Sequence, residues 1–391
     1  MKLLQINTSV NSGSTGRIAE DIGKIWMESG NESYIAAANT NQPSKSKVIK
    51  IGSAADRYLH GLKTRVFDRH GFGSEKATKK FVTDIEEINP DIIHLHNLHG
   101  YYLNIEVLFN YLKIVQKPVV WTFHDAWPFT GHCSHFDRVN CYKWQIACSK
   151  CPNKNGYPAS WVLDNSKSNY QKKKELFTGL KTLSIITPSN WLTNHVKNSF
   201  LKDYPVYTIH NGIDLDVFNR VQSDVVRLKY RIPDQQIILG VASNWNSRKG
   251  LTDFIEISKQ IKQNQHIVLV GLSAKQLKEL PTGITGILRT ENTAELAAIY
   301  SLADVFVNPT YVDNFPTTNI EALACGTPVI TYNTGGSPEA IDEKTGIIVQ
   351  KGDINGLMEA VEQAVEKGKE YYSANCRERA VSLFNKDDRF N

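Results

Sequence analysis

Residues 311–328 read YVDNFPTTNIEALACGTP. An apolar run at 303–307 leads into this stretch as a strand would. Residues 317–324 then follow a short helical pattern, closed by Gly326 and Pro328. Asp313 lies on the incoming loop and Glu321 inside the helix, eight positions later. A helix N-terminus offers free backbone N–H groups and the positive end of a dipole, so it suits a phosphate. Phe315, Thr317 and Thr318 stand at that entrance. A carboxylate one turn further in is placed to accept hydrogen bonds from a vicinal diol such as a ribose. A second carboxylate on the loop reaches hydroxyls on the other side of the phosphate. The stretch reads as a cradle for a nucleotide-sugar.

Outward from it, the second half of the chain alternates strands and helices. Strand patterns fall at 237–242, 267–271 and 283–288, with helices from Ala274 and over 293–302 and 353–384. The loop SNWNS at 243–247 leads into Arg248-Lys249-Gly250 and a helix, so two cations are expected at its N-terminus, where a leaving diphosphate is neutralised. A turn of sequence GGSPE occupies 335–339. These landmarks resemble retaining glycosyltransferases of the GT-B fold, family 4 in particular. That family carries an E-x7-E segment; Glu321, Ala322 and Cys325-Gly326-Thr327-Pro328 match it, and Asp313 replaces the first Glu with a chain one methylene shorter. Lys249 matches the family's Lys-Gly pair. Asn244 stands where its Arg is usual, and Arg248 is expected to supply that charge. Gly335, Gly336 and Glu339 match its Gly-Gly-x-x-Glu turn, which closes that side of the donor pocket. Leu288-Arg289 falls where the resembling fold often contacts the base.

The first half reads the same way. A strand at 2–8 runs through SVNSGSTGR, residues 9–17, into a helix ending near Ser29. The loop is phosphate-friendly but is neither G-x-G-x-x-G nor a P-loop. The resemblance implies that Gly13, Gly16 and Arg17 lie near the donor's phosphates and the acceptor. Strands at 34–37, 91–96, 118–123, 184–188 and 206–210 alternate with helices at 104–115, 167–181 and 191–200, and two more helical stretches lie between Ser53 and Asn89. This alternation predicts a parallel sheet covered on both faces, with ligands at the carboxyl ends of its strands. Two polar clusters fall at such ends: His94, His96, Asn97 and His99, and then His124-Asp125. The resemblance gives His124 a contact with the donor's sugar. His96 and His99 are candidates for the acceptor side, and His94 alternates inward as a core residue.

Within the first half sit Cys133, Cys141, Cys148 and Cys151, spaced C-x7-C-x6-C-x2-C. Clustered thiols in a protein of reducing compartments point to metal rather than disulfides. Four thiolates suit a closed, tetrahedral, structural zinc, which would staple a loop without a core of its own; His132 and His135 are substitute ligands. Free thiols, disulfides and an iron–sulfur cluster are the other readings. The surrounding HDAWPFTGHC resembles a subset of bacterial family 4 enzymes with such an insert. Cys325 and Cys376 read as small buried residues. Asp214-Leu215-Asp216 spells D-x-D, but its place before a linker helix argues against a metal.

At 391 residues, 41% hydrophobic and 22% charged, the chain is an ordinary globular protein long enough for two domains. No apolar run is long enough to span a membrane, and the first residues do not have a signal-peptide layout. A cytoplasmic protein is the expectation, with peripheral attachment to the inner face of the plasma membrane as a second element of it. The net charge of +5 is uneven: residues 1–203 carry +9 and residues 204–391 carry −4. The excess concentrates in 45–80, and such a segment reads either as solvated helix faces or as a site for anionic lipid or a phosphorylated acceptor. No aromatic-interleaved basic module accompanies it, so nucleic acid is not expected.

The expectation is α/β, two Rossmann-like domains facing a cleft: 1–210 for the acceptor with the insert at 133–151, 211–375 for the nucleotide-sugar, and a helix over 376–391 crossing back to the first. The implied reaction moves a sugar from a nucleotide-sugar to a saccharide or lipid-linked saccharide acceptor with retention, and without a catalytic metal. Lys249, Arg248, Asp313 and His124 are its catalytic candidates. An epimerase of the same fold, a glycoside phosphorylase and a non-enzymatic zinc-knuckle binding module are the alternatives.

Overall fold

The computed structural model describes residues 1–390 and divides into two compact units, Met1–Ile209 and His210–Arg389. In the first, seven strands form one sheet: β1 (Lys2–Ser9), β2 (Glu32–Asn39), β3 (Lys47–Lys50), β4 (Ile92–Leu95), β5 (Val119–Thr122), β6 (Leu183–Thr187) and β7 (Val206–Thr208). Their order is β3-β2-β1-β4-β5-β6-β7, every pair parallel. In the second, β8 (Gln236–Val241), β9 (Gln265–Val270), β10 (Ile284–Ile287), β11 (Val305–Asn308), β12 (Val329–Tyr332) and β13 (Gly346–Val349) run β10-β9-β8-β11-β12-β13, again all parallel. Each sheet starts at an inner strand, winds one way, then returns and winds the other. The reversal falls between β1 and β4 in one unit and between β8 and β11 in the other, where loops at the carboxyl ends diverge and leave room for a ligand.

The residues dictate this. Val305–Asn308 and Val329–Tyr332 are buried along their whole length, because helices cover both faces of the sheet. Each unit has its own core, one around Trp121, Phe109 and Phe177, the other around Phe254, Tyr300 and Phe306.

Several sequence expectations are corrected. The helical run at 353–384 is two helices, Ile354–Lys367 and Lys369–Phe384, broken at Gly368 with φ of 77°. The second of these packs on helix Thr317–Ala324, and Cys376 and Phe384 lie in the second unit's core, so no boundary falls at 376. The cysteine insert also has a core. Phe129, Phe136 and Trp144 are buried against one another, with ring centroids 4.8 and 5.0 Å apart, and continue the first unit's interior. Strands β3, β12 and β13 had no counterpart in the sequence reading.

Candidate functional site

In the second unit the loop after β8 and the loop after β11 flank the point of reversal. Arg248 and Lys249 close a tight turn, Ser247–Lys249, whose entry is fixed by Asn246: its side chain accepts from the Arg248 and Lys249 N–H groups. The helix itself begins later, at Leu251, so the cations sit on the turn before it rather than in its first turn. Gly250 makes the corner with φ of 75°, and a Cβ there would run into the Pro309 carbonyl. Backbone bonds then fasten this turn to the β11 loop: Tyr311 N–H donates to the Arg248 carbonyl at 2.8 Å, and the Arg248 guanidinium donates to the Val312 carbonyl at 3.0 Å. Lys249 Nζ lies 2.5 Å from Asp313 Oδ2, with 20% and 17% of the two side chains exposed. Residues 64 apart in sequence thus form one ion pair facing solvent.

The Gly-Gly turn joins the same place. Gly335 has φ of 54°, a Cβ on it would strike the Asp313 carbonyl, and Gly336 N–H donates to that carbonyl at 3.3 Å. Helix Thr317–Ala324 starts directly after the loop, and its cap residue, Pro316, brings no side-chain hydrogen bond, which leaves Thr317 and Thr318 half-buried at an entrance not closed by a side-chain cap. Glu321 is one turn in, 3% exposed, and accepts from the Tyr300 hydroxyl at 3.0 Å. Of the residues expected in this cradle, Lys249, Arg248, Asp313, Thr317, Thr318, Glu321, Gly335 and Gly336 are brought together. Asn244 is exposed on the loop before them. Phe315 is buried with its ring stacked on His210 at 4.8 Å, so it braces the loop from behind. His210 in turn meets Glu339 of the Gly-Gly turn at 3.2 Å.

A buried polar network underneath was not foreseen. Asn319 accepts from Asn308 Nδ2 at 2.7 Å and donates to Ser337 Oγ at 3.0 Å, and Ser337 pairs with Thr331 at 2.6 Å. It locks the helix to β11, β12 and the Gly-Gly turn. The signal available in sequence was an Asn between two Thr and an Ile at the start of a short helix. Asp214 of the D-x-D triplet accepts from the Asp216 and Val217 N–H groups and pairs with Lys386, a turn cap rather than a metal ligand.

In the first unit Gly13 opens helix Gly13–Glu28, Gly16 lies so close to the Ser9 and Asn11 backbone that a Cβ would crowd it, and Arg17 is one turn in. At the ends of β4 and β5 the histidines form a ladder. His94 and His96 stack at 4.2 Å, His96 and His124 at 5.4 Å, and His96 Nδ1 meets His124 Nε2 at 3.1 Å. His94 bonds to Thr122 at 2.8 Å, the satisfied core role expected of it. Burial pushes His94 down to about 3 and His124 down to about 4, so both rings are neutral near pH 7. Asp125 contrasts with them. Burial acts to raise its carboxyl, yet the neighbouring His99 outweighs this and holds it at about 2. His99 Nε2 lies 2.7 Å from Asp125 Oδ2, and His99 Nδ1 lies 3.2 Å from the Tyr157 hydroxyl. Tyr157 comes from the loop just after the insert, and its part in this chain could not be read from sequence.

The four cysteines line one cavity of about 20 Å³ together with His132. All are free thiols; Cys133 hydrogen-bonds to Cys151, and Cys148 accepts from the Gly131 N–H at 3.2 Å. His132 is held through Nδ1 by buried Asp68 at 2.5 Å, which leaves its buried Nε2 without a hydrogen-bond partner. Among the described residues, no three His, Cys, Asp or Glu side chains are gathered to hold one ion. Spacing brought the four thiols and His132 to the lining of one cavity.

Comparison with known proteins follows the same division. Residues 15–217 match the family "Glycosyltransferase Family 4" and residues 235–367 match "Glycosyl transferases group 1". The protein of Escherichia coli (strain K12) named for colanic acid biosynthesis, glycosyl transferase WcaC, is 24% identical over 379 residues, covering 92% of this chain and 90% of its own. Sucrose-phosphate synthase from Thermosynechococcus elongatus superposes with a TM-score of 0.73 at 20% identity, over 100% of this chain and 96% of that one. Anabaena Alr3699/HepE in complex with UDP-glucose superposes with 0.68 at 16% identity, over 100% and 97%. These likenesses carry the two-domain GT-B fold.

Proposed function

The chain belongs to glycosyltransferase family 4, and from that premise we propose that it moves a sugar from a nucleotide-sugar to an acceptor hydroxyl with retention of configuration, in bacterial surface-polysaccharide synthesis. The observation that carries this is the Lys249–Asp313 pair beside the start of helix Thr317–Ala324, with Glu321 one turn in. A nucleoside diphosphate needs cations and backbone N–H groups for its phosphates and a carboxylate for its ribose. This unit supplies all three within one loop pair. The WcaC likeness supports the polysaccharide setting, and the HepE complex supports a nucleotide-sugar donor.

The chemistry is leaving-group stabilisation. As the bond from the anomeric carbon to the diphosphate oxygen breaks, negative charge grows on the phosphate and positive charge on the sugar. Lys249 and Arg248 act on the first, where preorganised charge contributes most. Asp313 holds Lys249 in place and faces the sugar, and Glu321, fixed by Tyr300, takes the ribose hydroxyls. The acceptor oxygen attacks from the face the diphosphate leaves, and its proton passes to the departing phosphate oxygen. Fixed side-chain cations do the work of a divalent ion in this scheme.

On the first unit we assign Gly13, Gly16, Arg17 and His124 to the phosphate and sugar, and His99, oriented by Asp125, to the acceptor. With its Nε2–H donated to Asp125, His99 accepts a hydrogen bond at Nδ1 from the Tyr157 hydroxyl, so the Tyr157 oxygen is left to accept from a substrate hydroxyl. For the cysteine cavity we propose a structural zinc, supported by the donor chemistry and by the orphaned His132 Nε2 beside it. Element analysis and the change in thermal midpoint on chelation test it; metal-free protein with an unchanged midpoint removes it.

A panel of nucleotide-sugars, read by thermal shift and then by transfer to lipid-linked saccharides, tests the main proposal. One nucleotide raises the midpoint, and NMR of the product finds the donor's anomeric configuration. Inverted product overturns retention, and a panel without a single binder overturns the donor assignment.

A further inference from the structure

Helix Ala54–Phe67 is turned inside out. Its buried positions are His60, Gly61 and Thr64, small or polar, while Tyr58, Leu59, Leu62 and Phe67 face solvent. Tyr58 is 73% and Leu59 62% exposed. A helix seated on a core buries its apolar stripe and turns its polar one to water, so this arrangement is not what folding alone selects. The segment after the insert extends the apolar surface. Trp161 N–H donates to the Arg65 carbonyl at 2.7 Å and Leu163 N–H to the Val66 carbonyl at 3.1 Å, which lays 161–163 along the end of the helix. Trp161 is 66% exposed, and Val162 and Leu163 are exposed beside it.

The rim of this surface is basic. Arg57, Lys63, Arg65 and Arg69 come from the helix and its exit, and Lys154 from the segment after the insert, bonded to the Val162 carbonyl at 3.1 Å. The Arg65 guanidinium lies 5.1 Å from the Trp161 ring. Of the acids close by, Asp56 caps the helix start, Asp68 is buried on His132, and Asp164 binds the Cys151 and Ser166 N–H groups. We propose that this face docks on an anionic lipid bilayer, with Leu59, Leu62 and Trp161 entering the headgroup boundary and the basic rim meeting lipid phosphates. Exposed aliphatics with Trp and Tyr among cations are the composition of an interfacial membrane helix. A second copy seated on the same face about a two-fold axis would set one basic rim against the other, which the charges oppose. Among the described residues no helix is long and apolar enough to cross a membrane, so attachment of this kind is from one side.

The test is co-flotation of the full-length protein with vesicles of phosphatidylcholine, with and without phosphatidylglycerol. Wild type floats with the anionic vesicles, less as salt rises, and brominated phosphatidylglycerol quenches its fluorescence. A variant carrying Leu59→Ser, Leu62→Ser and Trp161→Ser loses at least about tenfold in partitioning. It keeps the wild-type thermal midpoint and nucleotide response, so failure of the glycosyltransferase reading would be seen separately. Lys63→Glu with Arg65→Glu weakens binding to anionic vesicles only. Wild type that stays in solution, a triple variant that floats as wild type does, or a wild-type dimer that the triple variant abolishes would each overturn the proposal.

Discussion

Lys249 has two neighbours that decide its use: Asp313, which it touches, and the turn ended by Gly250, which sets its direction. Replacing it with alanine removes the charge that the proposed mechanism places at the leaving group, without emptying any core. Lys249→Ala is expected to cut transfer by about 10² to 10³ while the thermal midpoint stays put, and steady-state kinetics with a chosen donor check it. Glu321 is different, since it is buried and held by Tyr300. Tyr300→Phe removes one hydrogen bond worth about 1 kcal/mol, so the donor KM should rise several-fold with kcat nearly unchanged. The buried histidines answer to pH. His60 and His124 are pushed down to about 4 and His94 to about 3, all by burial, against an ordinary value of 6.5. Their folded values lie below the unfolded one, so the stability they contribute is complete above 6.5 and is lost as pH falls toward 4 and 3. Each costs up to about 1.4 kcal/mol per pH unit over that window. Urea titrations at neutral pH and at about pH 5 should show that loss.

At the scale of elements, legibility followed locality. Helices Thr293–Leu302 and Thr317–Ala324 have the ends read from sequence, because their caps and stops are local. Lys249, Asp313 and Gly335 were each picked from their own motif, yet the bonds joining them depend on the reversal of strand order, which no local pattern encodes. Tyr157 and Asp125 illustrate the limit: 32 residues apart, they meet only through His99. The short strands β3, β12 and β13 lacked a sequence pattern long enough to rise above the noise. The insert was misjudged for a related reason. Cysteines dominate its text, whereas its interior is built from Phe136 and Trp144, packed with Phe129 just before it. Phe136→Ala is therefore expected to destabilise the chain by about 3–5 kcal/mol, measured by chemical denaturation, whether or not metal is supplied.

For the whole molecule, two parallel sheets with separate cores account for its length, since each sheet needs helices on both faces. The uneven charge has a place as well: part of the first unit's excess, Arg57, Lys63, Arg65 and Arg69, lies on or just after the inverted helix, and two of the second unit's cations, Arg248 and Lys249, lie at the cradle. Cutting at the unit boundary separates two sheets that share no strand. A protein beginning at His210 should fold and still show a thermal shift with the nucleoside diphosphate of the true donor. An unfolded product would mean that the second core depends on the first.

The two sheets also repeat one wiring scheme, 3-2-1-4-5-6, with a seventh strand added to the first. Wiring that repeats while side chains differ is modular. Everything after Ile209 can be exchanged for the matching part of a relative without asking either sheet to re-pair. On the assignment made above, such hybrids would inherit their sugar from one parent and its destination from the other, and a small set of halves could be combined into many different linkages.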